Sequence, residues 1–152
     1  MDMAFQFPYP VTEEEENWSA RDFLDRPRRI EQEILRTEER VRFLKGLTGL
    51  FSARLKAVRV VSSPDPAKTQ QLICEITDLE REIPRLKEEH AQAEADILLA
   101  ASRLPEQCLT DIIEMRYLRR MAWEEISREM MYSPSWTLKL HVRALSLLRP
   151  PR

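Results

Sequence analysis

Apolar residues recur along this chain with the alternating four and three steps of a helix seam. Between Pro27 and Val61 the seam reads Ile30, Ile34, Thr37, Val41, Leu44, Thr48, Phe51, Leu55 and Val58. From Leu72 it resumes as Ile76, Leu79, Ile83, Leu86, His90, Ala93, Ile97, Ala100 and Leu104. Such spacing keeps one side of a helix against a partner for several heptads. Between the two runs, Val61-Ser62-Ser63-Pro64-Asp65-Pro66 cannot continue a helix, because each proline disfavours the helical conformation in its predecessor. The pattern therefore predicts an antiparallel helical hairpin over 19–103 with its turn near 62–66. Leu35, Leu47, Leu50, Ile73, Leu98 and Leu99 lie beside the seam and widen the apolar stripe, which calls for a further partner on that face, either the C-terminal helices or a second subunit.

Three interruptions are expected in these arms. Gly46 and Gly49 each cost about 1 kcal/mol relative to Ala inside a helix, so they mark either a break or a close helix crossing, of which a break or bend is expected. Pro84 removes a hydrogen bond and predicts a kink unless a π-type turn absorbs it. Pro27 is expected to separate the long arm from a short helix that opens at Ser19, where Ser19 and Asp22 resemble a capping box. Residues 1–18, with Phe5, Phe7, Pro8, Tyr9, Pro10 and the acidic run Glu13 to Glu16, read as a flexible or partner-dependent tail.

After Leu104 the rhythm shortens into three amphipathic helices, residues 104–152. The first is expected from Pro105 and carries Leu109, Ile112, Ile113 and Leu118. The second, about Ala122 to Met130, buries Trp123, Ile126 and Met130. A tight turn at Met131 and Tyr132 leads to Ser133 as N-cap and Pro134 at the first helical position. The third helix then buries Thr137, Leu140, Ala144, Leu145 and Leu148.

Charge changes this picture in two places. Residues 27–61 hold nine Lys or Arg against four Glu, a balance of +5, whereas 62–104 hold five basic and nine acidic residues, −4. Opposite signs favour side-by-side arms, although each exposed pair contributes only about 0.2 to 1 kcal/mol. From Arg116 onward eight basic residues face three acids, so a local +5 sits inside a net charge of −2. With 43% hydrophobic residues, 33% charged residues and two glycines, the composition suits a helical protein. No apolar run reaches the roughly 18 residues that span a bilayer, and MDMAFQFPYP lacks the basic flank of a leader, so a cytoplasmic protein without a membrane partner is expected. Cys74 and Cys108 lack metal or redox spacing and are expected to be reduced and buried.

The set Leu104-Pro105, Met115-Arg116-Tyr117-Leu118, Trp123-Glu124-Glu125-Ile126, Tyr132-Ser133 and Leu140-His141-Val142-Arg143-Ala144-Leu145 resembles region 4 of bacterial sigma factors. More closely, it resembles small phage-encoded proteins related to autolysin-regulator (ArpU-like) late-gene activators. The resemblance extends to Asp78-Leu79-Glu80-Arg81-Glu82-Ile83 and to Ser19-Ala20-Arg21-Asp22-Phe23-Leu24. It implies an all-α protein in which the hairpin precedes a three-helix, sigma-region-4-like helix-turn-helix domain. It also implies a phage or prophage transcription regulator in a bacterial host, whose third helix enters the DNA major groove. Relatives usually carry glycine at the two inter-helix turns, where this chain has Arg120 and Met131, and a hydroxyl N-cap where it has Ala122. They carry polar or basic residues where this chain has Pro134, Ser135, Trp136 and Leu138.

On this reading Ser133, Ser135, Trp136, Lys139, His141, Val142 and Arg143 form the DNA-binding surface. Lys139 and Arg143 supply phosphate or base contacts, and the helix N-terminus at Ser133 suits a phosphate. The expected partners are double-stranded DNA, RNA polymerase, and a second copy of the chain joined through the hairpin. Exposed Trp136 and Leu138 equally suit a protein-docking module, and a packaging adaptor of the small-terminase kind would join the same elements. No phosphate loop, metal-ligand spacing or nucleophile with a nearby base is present, so neither an enzyme nor a cofactor is expected. His90 sits on the seam as a packed histidine, and Glu124 and Glu125 suit the first turn of a helix.

Overall fold

The computed structural model describes residues 19–57 and 65–151, with the backbone alone described at 51–57. The expected tail, the centre of the 62–66 turn and the seam side chains Phe51, Leu55 and Val58 lie outside the described residues. Every regular element among the described residues is helical. Helix α1 spans Ala20–Ala57, α2 spans Pro66–Ser102 and α3 spans Gln107–Ile113, continued by a π-helical turn Glu114–Leu118. Helices α4, Trp123–Met130, and α5, Pro134–Leu147, complete the order. No helix among the described residues is long and apolar enough to cross a membrane.

The arms are less interrupted than their sequence suggests. Helix α1 runs without a break through Pro27, Gly46 and Gly49. Ser19 starts it by accepting the Asp22 N–H at 3.4 Å, and the buried Pro27 ring lies within the same helix. A Cβ built on Gly46 or Gly49 would meet nothing within 4 Å, so neither a break nor a close crossing explains the glycines. The physical reason is one of scale: one missing hydrogen bond or about 1 kcal/mol of propensity per glycine is small beside the burial of a long apolar seam. Helix α2 likewise passes through Pro84, whose ring is exposed. Asp65 opens it, accepting the Ala67 N–H at 3.0 Å, with Pro66 at the first helical position.

The chain divides into two compact units. The unit Pro27–Ala93 contains parts of both long helices, and its seam is the one read from the sequence. Ile30, Leu86 and Ala93 form one buried cluster with Ile34; Val41, Leu44 and Ile76 form another with Leu47, Leu72, Leu79 and Ile83. Ion pairs flank these clusters: Arg40 with Glu75 at 2.9 Å, Lys87 with Glu38 at 3.2 Å, and Lys45 with Glu80. Glu38 meets Lys87 while the later Lys45 meets the earlier Glu80, so the two segments run in opposite directions. Five of the six residues flanking the seam, Leu35, Leu50, Ile73, Leu98 and Leu99, are exposed. Cys74 is exposed too, which corrects the expectation that it is buried; it sits on the outer side of α2, two residues from the seam position Ile76.

The second unit joins the start of α1, up to Arg26, to the chain from Glu94 onward. Its core gathers Leu24, Ile97, Ala100 and Ala101 from the long helices with Leu109, Ile112, Ile113, Ile126, Leu140, Ala144 and Leu148 from the short ones. Fully burying each large aliphatic side chain contributes about 1.5 to 3 kcal/mol. Thr110, itself buried, donates its hydroxyl to the Ala101 carbonyl at 2.8 Å and thereby satisfies the end of α2. Helix α3 begins at Gln107 rather than Pro105. Leu104 closes the last turn of α2 by donating to Ala101 O at 3.1 Å, so Pro105 lies in the connection, and extended Glu106 is the N-cap.

Candidate nucleic-acid interface

Helices α4 and α5 are joined by three residues, and the backbone of that turn is specified at both ends. Met131 adopts the left-handed conformation, φ 59° and ψ 35°. Its N–H reaches Arg128 O at 3.3 Å and the Tyr132 N–H reaches Ser127 O at 3.0 Å, the paired bonds of a Schellman motif. Ser133 then accepts the Trp136 N–H at 3.2 Å, with Pro134 at the first position of α5. The turn before α4 has the same character: Arg120 has φ 55°, and the Met121 N–H donates to Met115 O at 2.9 Å. The two positions at which the resemblance leads one to expect glycine are thus the two non-glycine residues with positive φ among the described residues. At the start of α4 only half a capping box exists, because Ala122 has no acceptor side chain. Glu125 nevertheless reaches back to the Ala122 N–H at 2.8 Å.

A buried polar bridge fixes α4 against α5. The Ser127 hydroxyl lies 3.1 Å from Thr137 Oγ1, which in turn donates to Ser133 O at 3.0 Å. Both side chains are buried, and an unsatisfied hydroxyl there would cost about 1 to 3 kcal/mol. With Thr137, Leu140, Ala144 and Leu148 inward, the opposite side of α5 carries Ser135, Leu138, Lys139, Val142 and Arg143, all exposed. Trp136 is 49% exposed on one flank.

His141 departs from the expected surface. Its ring is half-buried, with Nε2 2.8 Å from the Tyr117 hydroxyl and the Trp123 ring edge-on at 4.7 Å. Desolvation, followed by the nearby Arg21 and Arg116 charges, lowers its pKa to about 4, so the ring is neutral at pH 7. Burial also raises the pKa of Tyr117, with the Asp25 carboxylate adding to the effect. Arg116 completes the stack, its guanidinium 4.7 Å from the Trp123 ring centre and hydrogen-bonded to Met121 O at 2.9 Å. This arrangement makes His141 a packing residue that ties α5 to the π-helical turn and α4. The signal was present: Thr137, His141, Ala144 and Leu148 step by four, three and four.

The remaining charges are partly engaged. Arg143 pairs with Glu106 at 2.6 Å, Arg119 with Glu129 at 3.2 Å, and Arg149 donates to Ser146 O at 3.0 Å. The carboxylate pairs are exposed, worth about 0.2 to 1 kcal/mol each, so a phosphate could displace either carboxylate at small cost. Arg119, Met121, Glu125, Arg128 and Glu129 line a shallow depression beside α4. Cys108 is half-buried, with its thiol pKa raised by desolvation and then by Glu106. Among the described residues no three metal-ligating side chains converge. Comparison with protein-family models, curated proteins and solved structures finds no match to this chain.

Proposed function

We propose that this protein is a DNA-binding transcription regulator of phage or prophage origin, built as a helical hairpin followed by a sigma-region-4-like helix-turn-helix. The observation that carries the reading is the α4–α5 unit: two short helices joined by a Schellman turn and an N-capped entry, with a second helix that buries one side and presents Ser135, Lys139, Val142 and Arg143 on the other. In this reading α5 enters the major groove. Lys139 and Arg143 meet phosphate or guanine, Ser135 contacts a base edge or phosphate, and Val142 offers an apolar contact to a thymine methyl. Ser133 positions the helix N-terminus at the backbone. His141 is assigned to holding α5 in place, and Trp136 lies at the edge of the groove.

Binding to promoter-length duplex DNA should fall steeply with salt, because each neutralised phosphate adds about −0.9 to the log–log slope. Replacing Lys139 and Arg143 together with Ala should lower that slope by about two units and weaken binding on all sequences. DNA binding untouched by the double change would remove α5 from the groove. A second reading, docking on RNA polymerase or another phage protein, draws support from the exposed apolar side chains Met131 and Tyr132 in the turn and Trp136, Leu138 and Val142 along α5. It predicts association with purified polymerase that Trp136→Ala abolishes, in the absence of DNA binding.

A further inference from the structure

We infer that the side of α1 turned away from α2 is a self-association surface, on which a second copy of this chain lays its own α1 in the opposite direction. Leu35, Phe43 and Leu50 are 58%, 56% and 66% exposed, and their spacing of eight and seven residues puts them along one side of the helix. Glu39, Arg42 and Gly46 lie between them and are exposed as well. All six residues belong to the unit Pro27–Ala93, so the surface does not depend on the DNA reading.

The order of these residues selects the occupant. A two-fold axis between Arg42 and Phe43 sets Leu35 against the partner's Leu50, Glu39 against the partner's Gly46, and Phe43 against the partner's Arg42. Glu39 then comes within reach of the partner's Arg42, and the symmetry repeats every contact. The strip is therefore self-complementary at its ends and beside its centre: each leucine faces a leucine, Glu39 lies about one helical turn along the axis from the partner's Arg42, and the aromatic ring sits next to the two-fold. Gly46 has room for the approach, since nothing lies within 4 Å of where its Cβ would be. From Leu35 to Leu50 the contact would run about 22 Å along the helix at 1.5 Å per residue, with apolar anchors inside a charged margin. An unrelated partner would have no need of this two-fold order in a single helix of this chain.

Sedimentation equilibrium of the full chain up to about 100 µM should show a dimer, concentration-dependent as mass action requires. Phe43→Glu with Leu50→Glu should weaken association at least about 100-fold while far-ultraviolet circular dichroism is unchanged, because neither side chain is buried in the monomer. Ile73→Glu, at an exposed position of α2, should leave the dimer intact. In a background with Cys74→Ser and Cys108→Ala, a mixture of Leu35→Cys and Leu50→Cys chains should crosslink on oxidation, and each variant alone should not. A monomer at the highest concentration, a dimer that survives the double glutamate change, or crosslinking of Leu35→Cys alone would overturn the proposal.

Discussion

Met131→Gly should stabilise this protein. Met131 occupies the left-handed region at φ 59°, where an L side chain costs about 1 to 2 kcal/mol through the clash of its Cβ with the following carbonyl. Its side chain is 91% exposed, so removing it forfeits almost no burial. Against the relief stands the larger backbone entropy that glycine loses on folding, about 0.5 to 1 kcal/mol. The net gain is about 0.5 to 1 kcal/mol, or about 1 to 4 °C in Tm for a chain of this length. Met131→Ala is the informative control, because it removes the long side chain but keeps the Cβ. Urea unfolding of wild type, Met131→Ala and Met131→Gly should place the glycine variant alone at a higher midpoint with an unchanged slope. A glycine variant no more stable than the alanine one would refute the strain argument and with it the physical account of the turn. Arg120→Gly, at φ 55°, should act in the same direction.

Two further outcomes follow from the geometry. His141 has a folded pKa of about 4 against 6.5 for the free side chain, so as pH falls the unfolded chain takes up the proton first. The stability from the neutral ring is fully present above about pH 6.5 and is lost as pH drops toward 4. About 1.4 kcal/mol per pH unit applies to a fully buried group, and solvent screening of this half-exposed ring reduces the total to roughly 1 to 2 kcal/mol. His141→Gln should flatten the change in unfolding free energy between pH 7 and 5, measured by urea titration at each pH. Gly49→Ala should raise stability by about 0.4 to 1 kcal/mol in thermal unfolding, since the helix continues through residue 49 and the new methyl meets no neighbour. A lower Tm would show that the glycine serves a contact.

The seam was legible residue by residue. Ile30, Val41, Leu44, Ile76, Leu86, Ala93, Ile97 and Ala100 are buried where the four and three steps put them. The caps at Ser19 and Ser133, the proline opening α5, and the inward set Thr137, Leu140, Ala144 and Leu148 were equally open to reading. These features are local, since periodicity and capping depend on residues within a turn or two of each other. The weights of the breakers were not legible. Pro27, Gly46, Gly49 and Pro84 oppose a helix locally, and only the summed burial along α1 and α2 decides that they are overridden.

The candidate surface divides in the same way. Sequence alone determined that α5 has one buried side, and it put Ser135, Trp136, Lys139, His141 and Val142 outside it; all but His141 are exposed. The tertiary structure decided that His141 turns inward between Tyr117 and Trp123, that Arg143 meets Glu106, and that Arg120 and Met131 bear left-handed backbone. It also decided that Leu24, Ile97, Ala100 and Ala101, which the sequence assigns to the hairpin, share a core with the short helices. The reason is the range of the interactions. A heptad records which side of a helix is apolar, but the neighbour that covers that side, and the charge that neutralises an arginine, come from residues tens of positions away and are selected only when the chain closes.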